Sequence, residues 1–232
     1  WHLDRPDLII ATSDETSEIT RKAFDLAPDS VVVTGFPRND ILFARSHAIG
    51  NAQRAWPDSF SAAVDAGRVI FFYLPTYRDS GKPFLNFDWE KVDSLMHELN
   101  ATFFLKFHPD DKGGFEGKLK NVVELQQEID IYDMLAHTNA LISDYSSIIF
   151  DYMLLNRPII YYVPDLDEFV TSSRSLYFHP AEIAVGPMCT TESELMTSLT
   201  EVAEAREIPD KVRASWDETR RRFNTHADGA SS

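Results

Sequence analysis

Residues 139–162 are the stretch best suited to chemistry, because polar side chains interrupt an otherwise apolar strand–helix–strand pattern. Residues 140–142 form a short apolar strand, and residues 148–155 continue as a mostly apolar helix. The turn between them, here called the elbow, carries polar side chains: Ser143, Asp144, Ser146 and Ser147. A helix start has about four unpaired N–H groups and roughly half a positive charge. The elbow can therefore hold a phosphate without a glycine-rich loop.

The elbow also has a purely structural interpretation. Serine and aspartate are common at helix starts, where their side chains cap the first backbone N–H groups. The strand–turn–helix pattern taken by itself fits a capped helix as well as it fits a phosphate site.

Three other segments place polar residues directly after apolar runs. They are TGFPRND at residues 34–40, YLPTYRD at residues 73–79 and LKFHPD at residues 105–110. In an open parallel sheet, ligands bind beyond the carboxyl ends of the strands. The three segments and the elbow are therefore expected to converge on one crevice.

Two of these strand exits carry candidate phosphate ligands. Thr76 and Arg78 offer a hydroxyl and a planar fork of donors, although a turn with an Arg78–Asp79 surface ion pair would look the same. His108 stands before Pro109, which ends the strand, and without further context it could equally be a surface loop histidine. Lys106 is two residues before His108, so its side chain lies on the same face of the sheet or extends to solvent.

The order of these motifs resembles the carboxyl-terminal half of the CDP-glycerol glycerophosphotransferases, the teichoic-acid and capsule polymerases. The resemblance rests on TGFPRND, YLPTYRD, LKFHPD, ISDYSSIIFDY and a final NTHADGASS, and it covers the chain from about Asp7 onward. Members have the two-domain GT-B architecture, in which the second domain holds most of the donor nucleotide. The resemblance implies that residues 1–45 are the tail of an N-terminal acceptor domain with its linker, and that residues 46–232 are the donor-binding domain.

The resemblance also assigns roles to residues. His108 matches a histidine that is essential in the family and would stabilise charge on the departing CMP. Asp144 and Asp151 would orient hydroxyls or contact ribose and glycerol. Arg174 is followed by Ser175 where the family usually has glycine, so its loop is expected to differ. The residues expected to bind the donor and its phosphates are Thr76, Arg78, Ser143, Asp144, Ser146, Ser147, Asp151 and Arg174.

No cofactor and no metal are expected, because GT-B enzymes generally neutralise the leaving diphosphate without a bound ion. Asp130 is interpreted as the N-cap of a helix that carries Tyr132, rather than as a metal ligand beside Asp133. The single cysteine, Cys189, excludes an internal disulfide, and no Cys or His partner stands at ligand spacing from it.

Composition fits a globular domain with a sizeable core. Hydrophobic residues make up 44% of the 232 residues, and the sixteen phenylalanines supply much of their volume. The net charge of −15 argues against a nucleic-acid partner or an anionic membrane surface. Two Rossmann-like domains need a longer chain, and no initiator methionine is present. The sequence is therefore expected to be a fragment, with peripheral membrane contact made by a missing N-terminal part.

Strands and helices alternate along the chain, which predicts a Rossmann-like, doubly wound parallel sheet of the α/β class. Strands are expected near residues 7–12, 30–34, 68–74, 102–107, 121–124, 140–142 and 158–163. The best helices are expected at residues 14–26, 88–100, 130–137, 146–156, 191–205 and 209–223, with Ser13 or Asp14 capping the first. Residues 35–50 are expected to be the linker, and residues 75–87, 108–120 and 164–182 to be loops.

The predicted function is transfer of glycerol phosphate, or a related polyol phosphate, from a CDP-activated donor to a teichoic-acid or capsule polymer, with release of CMP. A polyol-phosphate or glycan chain would be the acceptor, and the enzyme would act in the cytoplasm at the inner face of the cell membrane. The chain by itself is expected to be inactive. Two alternatives remain: another GT-B nucleotide-sugar transferase or epimerase, and a non-catalytic nucleotide-binding or assembly module.

Overall fold

A computed structural model describes residues 7–43, 56–78, 88–108, 119–172 and 177–226, with only the backbone for residues 170–172. The strands are β1 Ile9–Ala11, β2 Val31–Val33, β3 Val69–Leu74, β4 Ala101–Leu105, β5 Val122–Glu124, β6 Ala140–Ser143, β7 Ile159–Tyr162 and β8 Met188–Cys189. The helices are α1 Asp14–Phe24, α2 Asp40–Phe43, α3 Asp58–Asp65, α4 Trp89–Glu98, α5 Tyr132–Leu135, α6 Ile148–Tyr152, α7 Leu166–Ser172, α8 Pro180–Ile183, α9 Glu192–Ala205 and α10 Asp210–Phe223.

A six-stranded parallel sheet forms the centre of the fold, in the order β5-β4-β3-β6-β7-β8. Counted from β3, this is the third, second, first, fourth, fifth and sixth strand, the order of a doubly wound sheet. The direction of winding reverses between β3 and β6, so the ligand crevice is expected outside their carboxyl ends. The prediction of a Rossmann-like parallel sheet is confirmed.

The central strands are buried on both faces, which explains why they read as continuous apolar runs. On one face Phe60, Phe72 and Phe104 pack edge to face, with ring centroids 5.2–5.7 Å apart. On the other face Phe103 packs with Met96 of α4 in a second buried cluster. Helices therefore cover both sides of the sheet, and the strand ends are left to form the site.

A second, two-stranded sheet pairs β1 with β2 in parallel. Helix α1 joins them, and its N-cap is Ser13, one of the two predicted caps. The Ser13 side chain accepts from the Thr16 N–H in a capping box. The chain returns to this sheet at its far end, because the Thr225 N–H donates to the Thr12 carbonyl and Arg222 pairs with Glu15 at 2.9 Å. The expected division near residue 45 falls at 44–55, outside the described residues.

Several expectations about local structure were wrong. Helices α2, α3, α7 and α8 were not among the predicted helices. Helix α2 lies in the segment 35–50 that was expected to be the linker, and α7 and most of α8 lie in the segment 164–182 that was expected to be a loop. The helix expected at 146–156 is only the five residues of α6, followed by a 3-10 turn at Met153–Leu155. Ile131, not Asp130, is the N-cap of α5; the Asp130 carboxylate instead accepts from the Tyr132 N–H at 3.0 Å.

Candidate functional site

The exits of β3 and β6 meet at the switch point, as expected for this sheet order. Thr76 follows β3, and both its N–H and its hydroxyl donate to Asp144 Oδ1, at 2.9 and 2.7 Å. Ser143, the last residue of β6, is fully buried and donates to the Leu74 carbonyl at 2.7 Å. This hydroxyl joins the two strand ends, and the predicted contact of Ser143 with the donor stays a prediction.

Arg78 lies at the centre of a buried ion-pair cluster, here called the closed cluster, with Asp144 and Asp165. Its Nε donates to Asp165 at 2.6 Å, its Nη2 to Asp144 at 2.8 Å and to Asp165 at 3.2 Å, and its Nη1 to the Thr76 carbonyl at 2.6 Å. The side chain of Arg78 is 10% exposed. All three guanidinium nitrogens are thus occupied by the protein. The structure places Arg78 in a structural tie, and its predicted contact with a donor phosphate stays a prediction.

Aromatic rings cover the closed cluster. The Tyr145 hydroxyl donates to Asp165 Oδ1 at 3.0 Å, and its ring stacks on Phe169 with centroids 3.7 Å apart. Burial and the Asp165 charge raise the pKa of Tyr145, so the hydroxyl stays a donor at neutral pH. Burial alone would lower the pKa of Arg78, but its bonds to Asp165 and the Asp144 charge more than offset this and hold it above its usual value.

Asp165 was missed by the sequence reasoning. The same rule that selected Thr76 and His108 could have found it, because Asp165 follows β7 by three residues, as a polar residue at a strand exit.

The two remaining elbow serines are accessible. Ser147 is exposed and is the N-cap of α6 by position, yet its side chain makes no capping hydrogen bond. Ser146 is half-buried, and its oxygen is 3.5 Å from the Ile148 nitrogen, at the limit for a hydrogen bond. Ser147 thus provides no side-chain cap and Ser146 only a long contact, and the predicted binding of donor phosphates by these two hydroxyls stays a prediction.

His108 follows β4, beside the β3 exit in the sheet order. It is exposed, and its ring lies 5.2 Å from the Tyr77 ring, centroid to centroid, at a tilt of 44°. Lys106 does not reach solvent freely, because its Nζ donates to the Ile129 carbonyl at 2.5 Å. The structure brings His108 to the carboxyl edge of the sheet next to Thr76, and its catalytic role stays a prediction.

Asp151 of α6 is held by residues of the TGFPRND segment in what is here called the open cluster. Its Oδ2 accepts from Arg38 Nε at 3.2 Å, from Arg38 Nη2 at 3.0 Å and from the Tyr132 hydroxyl at 2.8 Å. Its Oδ1 accepts from Asn39 Nδ2 at 3.0 Å. Asp151 is buried, so its proposed contact with ribose or glycerol competes with these partners. Arg38, Asn39 and Tyr132 were missed as site residues, although Arg38 and Asn39 belong to a motif that the sequence had singled out.

A glycine sets the turn that carries Arg38. Gly35 has φ +78°, a conformation that side-chain-bearing residues seldom adopt, and its N–H donates to the Ala11 carbonyl at 3.0 Å. The chain then makes a 3-10 turn over Pro37–Asn39. This local geometry aims Arg38 and Asn39 at the elbow helix.

A cavity of about 470 Å³ lies between the two sheets, beside the elbow. Aromatic rings and aliphatic side chains form most of its wall, and Thr16 and Thr20 of α1 also line it. Its lining includes Phe36, Arg38, Ser147, Phe150 and Asp151. A cavity of this size can hold part of a nucleotide.

The other predicted features lie elsewhere or outside the described residues. Arg174 falls in the segment 173–176, outside the described residues. Cys189 is buried, its Sγ lies 3.4 Å from the Ser198 hydroxyl oxygen, and burial raises the pKa of its thiol. In the described ranges, no three His, Cys, Asp or Glu side chains form a group that could hold a metal ion. No helix in those ranges is long and apolar enough to cross a membrane.

Comparison with solved structures agrees with this geometry. The wall teichoic acid polymerase TagF aligns with a TM-score of 0.76 and 23% sequence identity, over 96% of this chain and 55% of TagF. This similarity confirms the GT-B type of fold.

Curated relatives are teichoic acid enzymes. Teichoic acid ribitol-phosphate polymerase TarL of Staphylococcus aureus is 30% identical over 186 residues, which are 77% of this chain and 32% of TarL. Teichoic acid ribitol-phosphate primase of Bacillus spizizenii is 27% identical over 218 residues, 91% of this chain and 53% of the primase. The chain thus spans between about a third and about half of these relatives.

The family model of the CDP-glycerol:poly(glycerophosphate) glycerophosphotransferases matches residues 2–232, nearly the whole chain. The match includes the strand exits, the elbow and the TGFPRND turn described above. The chain belongs to the CDP-glycerol:poly(glycerophosphate) glycerophosphotransferase family.

Proposed function

We propose that this chain supplies the donor half of an enzyme that transfers glycerol phosphate, or a related polyol phosphate, from a CDP-linked donor to a growing teichoic-acid or capsule polymer. One observation carries the proposal: the hydroxyls of Ser146 and Ser147 lie at the switch point of the sheet, where Ser147 makes no capping hydrogen bond and Ser146 only a 3.5 Å contact with the Ile148 nitrogen. Family membership and relatives named for glycerol-phosphate and ribitol-phosphate transfer support the same donor class.

The reaction is attack of an acceptor hydroxyl on the β-phosphorus of the donor. A bond forms between the acceptor oxygen and that phosphorus, the bond from the β-phosphorus to the bridging oxygen breaks, and CMP leaves with the electron pair. The acceptor proton goes to a general base. Because such a transition state needs little covalent help, positioning and neutralisation of charge supply most of the catalysis.

The described residues divide this work. Ser146 and Ser147 donate to the diphosphate from the elbow, while His108 donates to an oxygen of the departing CMP from the neighbouring strand exit. The closed cluster fixes the two strand ends on which these groups stand. Arg174 is proposed as a further donor ligand by its place in the family's pattern.

The cellular setting follows from the proposed substrates. CDP-activated polyols are cytoplasmic metabolites of a phosphorylated, membrane-impermeable kind, so the enzyme is proposed to act in the cytoplasm. A growing wall or capsule polymer is proposed to bring it to the inner face of the cell membrane. A nucleic-acid partner is disfavoured by the net charge of −15.

Titration calorimetry of the purified chain with CDP-glycerol, CDP and UDP-N-acetylglucosamine tests the proposal. We expect both cytidine ligands to bind more tightly than the UDP-sugar, with a modest affinity because contacts come mainly from one wall. Equal or tighter binding of UDP-N-acetylglucosamine would reject the proposed donor class. Absence of CDP binding by the folded chain would reject a nucleotide-donor role altogether.

A further inference from the structure

The TGFPRND turn holds a cation that the family comparison leaves without a role. Arg38 donates through Nε and Nη2 to Asp151, at 3.2 and 3.0 Å. Its third nitrogen, Nη1, makes no hydrogen bond to any residue in the described ranges. The side chain is 46% exposed, whereas Asp151 is 4% exposed. Arg38 therefore presents one unused edge of a planar donor fork.

The guanidinium of Arg38 is held in place by its neighbours. The Arg38 guanidinium lies 4.3 Å from the centroid of the Phe36 ring and 5.7 Å from that of Tyr132. Asp151 holds its opposite edge through two hydrogen bonds. An arginine held by both a carboxylate and an aromatic ring loses little conformational freedom when it binds a ligand. The guanidinium is thus preorganised before any ligand arrives.

The position of Arg38 points to the donor. Arg38, Ser147 and Asp151 line the same cavity of about 470 Å³, beside the elbow. Two other cations at the strand exits bond to the protein itself, Arg78 in the closed cluster and Lys106 at the Ile129 carbonyl. A diphosphate at the elbow needs a positive charge, and the chain as a whole carries −15.

We propose that Arg38 binds a phosphate oxygen of the CDP-linked donor through Nη1, and that Asp151 is a positioning residue which holds the guanidinium in place. This inference rests on the proposed function and adds a ligand to its donor site. Asp151 then acts through Arg38, and the hydroxyl of Tyr132 and the amide of Asn39 complete its hydrogen bonding. Burial and the Asp151 charge raise the pKa of Tyr132, so that hydroxyl remains a donor at neutral pH.

The test compares binding of CDP with binding of cytidine, which lacks the phosphates, by calorimetry on the full chain. Arg38→Ala is expected to lower the affinity for CDP about tenfold, which is the effect of losing one charge-assisted hydrogen bond. The affinity for cytidine should stay within about twofold of wild type. Arg221→Ala, which removes an exposed arginine of α10 that does not line the cavity, is the matched control and should change neither affinity.

Two further variants separate binding from a structural tie. Arg38→Lys keeps the positive charge but loses the planar guanidinium, so the affinity for CDP should fall several-fold while the affinity for cytidine stays unchanged. Asp151→Asn alone should lower the affinity for CDP. Combined with Arg38→Ala it should cause no further loss, because Asp151 acts through Arg38.

Each result has a defined meaning. Wild-type affinity for CDP in folded Arg38→Ala and Arg38→Lys overturns the inference and leaves the proposed function standing. Parallel losses for CDP and cytidine also overturn it, because Arg38 would then only hold the fold. If wild type itself fails to bind CDP, the proposed function falls and the inference falls with it.

Discussion

Two arginine–aspartate clusters flank the elbow, and they differ in how much of the arginine the protein uses. In the closed cluster, Arg78 is 10% exposed and all three of its nitrogens bond to protein oxygens. In the open cluster, Arg38 is 46% exposed and one nitrogen remains unused. The same pair of residue types therefore forms a fully bonded structural tie in one place and leaves one guanidinium edge open in the other, where we propose that the donor binds.

The difference shows that residue type alone does not identify a phosphate ligand. Arg78 was a candidate phosphate ligand in the sequence analysis, because it follows a predicted strand exit. Its guanidinium is nonetheless occupied by Asp144 and Asp165, both almost fully buried. Arg38 stands in a turn after the smaller sheet, yet it is the arginine that faces the cavity.

The largest expected effect is loss of stability when the closed cluster is broken. Arg78→Ala should lower the free energy of unfolding by about 3–5 kcal/mol, because it leaves two buried carboxylates without their cation. Arg38→Ala should cost about 1 kcal/mol or less, since Asp151 keeps its bonds from Asn39 and Tyr132 and the pair is partly exposed. Urea unfolding followed by circular dichroism measures both values.

The closed cluster should lose more stability than the open cluster when its arginine is removed. If Arg38→Ala destabilised the protein as much as Arg78→Ala, the open cluster would be a second structural tie. If Arg78→Ala were as stable as wild type, the closed cluster would not hold the strand exits together.

Much of the fold could be predicted because burial on both faces leaves a strong trace in sequence. Strands β3, β4 and β7 are continuous apolar runs rich in aromatic and β-branched residues, and their positions were predicted within two residues. Strand β8 has only two residues and α8 only four, too few for a period to show. Helix α3 buries only Phe60 and Ala63, so its apolar face is weak.

The site was predictable only in part, for a related reason. The strand-exit rule found Thr76, His108 and the elbow, because each lies next to a recognisable strand. The Arg38–Asp151 pair joins residues 113 positions apart, and no local pattern announces such a contact. The saturation of Arg78 likewise depends on Asp165, 87 positions away.

The next largest effect concerns the contact between α6 and the residue that follows α10. Asn224, which is buried, donates through Nδ2 to the Phe150 carbonyl at 2.8 Å. Asn224→Ala should lower the free energy of unfolding by about 1–2 kcal/mol, the cost of removing one partner from a buried hydrogen bond. Thr225→Ala is the control, because Thr225 bonds through its backbone N–H, and it should cost less than about 0.5 kcal/mol. Equal urea midpoints for the two variants would mean that Asn224 does not hold α6.

The elbow hydroxyls should affect binding more than stability. Replacing Ser146 and Ser147 by alanine should weaken CDP about fivefold, which is about 1 kcal/mol, and should change the free energy of unfolding by less than about 0.5 kcal/mol. Neither hydroxyl makes a normal capping bond that the fold would lose. Ser13→Ala is a useful contrast, because Ser13 does cap α1 and should cost about 1 kcal/mol without affecting CDP. If the double variant lost stability but kept its CDP affinity, the elbow hydroxyls would act only as helix caps.

The smallest effect is expected from a third arginine–carboxylate pair, Arg222 and Glu15, which joins α10 to α1 at the surface. The Arg222 hydrogen bond lowers the pKa of Glu15, against an opposing effect of burial. Because the pKa is lower in the folded state, the pair stabilises the protein above the unfolded pKa and loses that contribution as pH falls through the folded pKa. Wild type should exceed Glu15→Gln by less than about 1 kcal/mol at neutral pH, and the gap should close in acid and shrink in high salt. Urea unfolding across the acid range, with Glu204→Gln on α9 as control, measures the gap, and a gap that persists below the folded pKa would show that the charge of Glu15 is not its source.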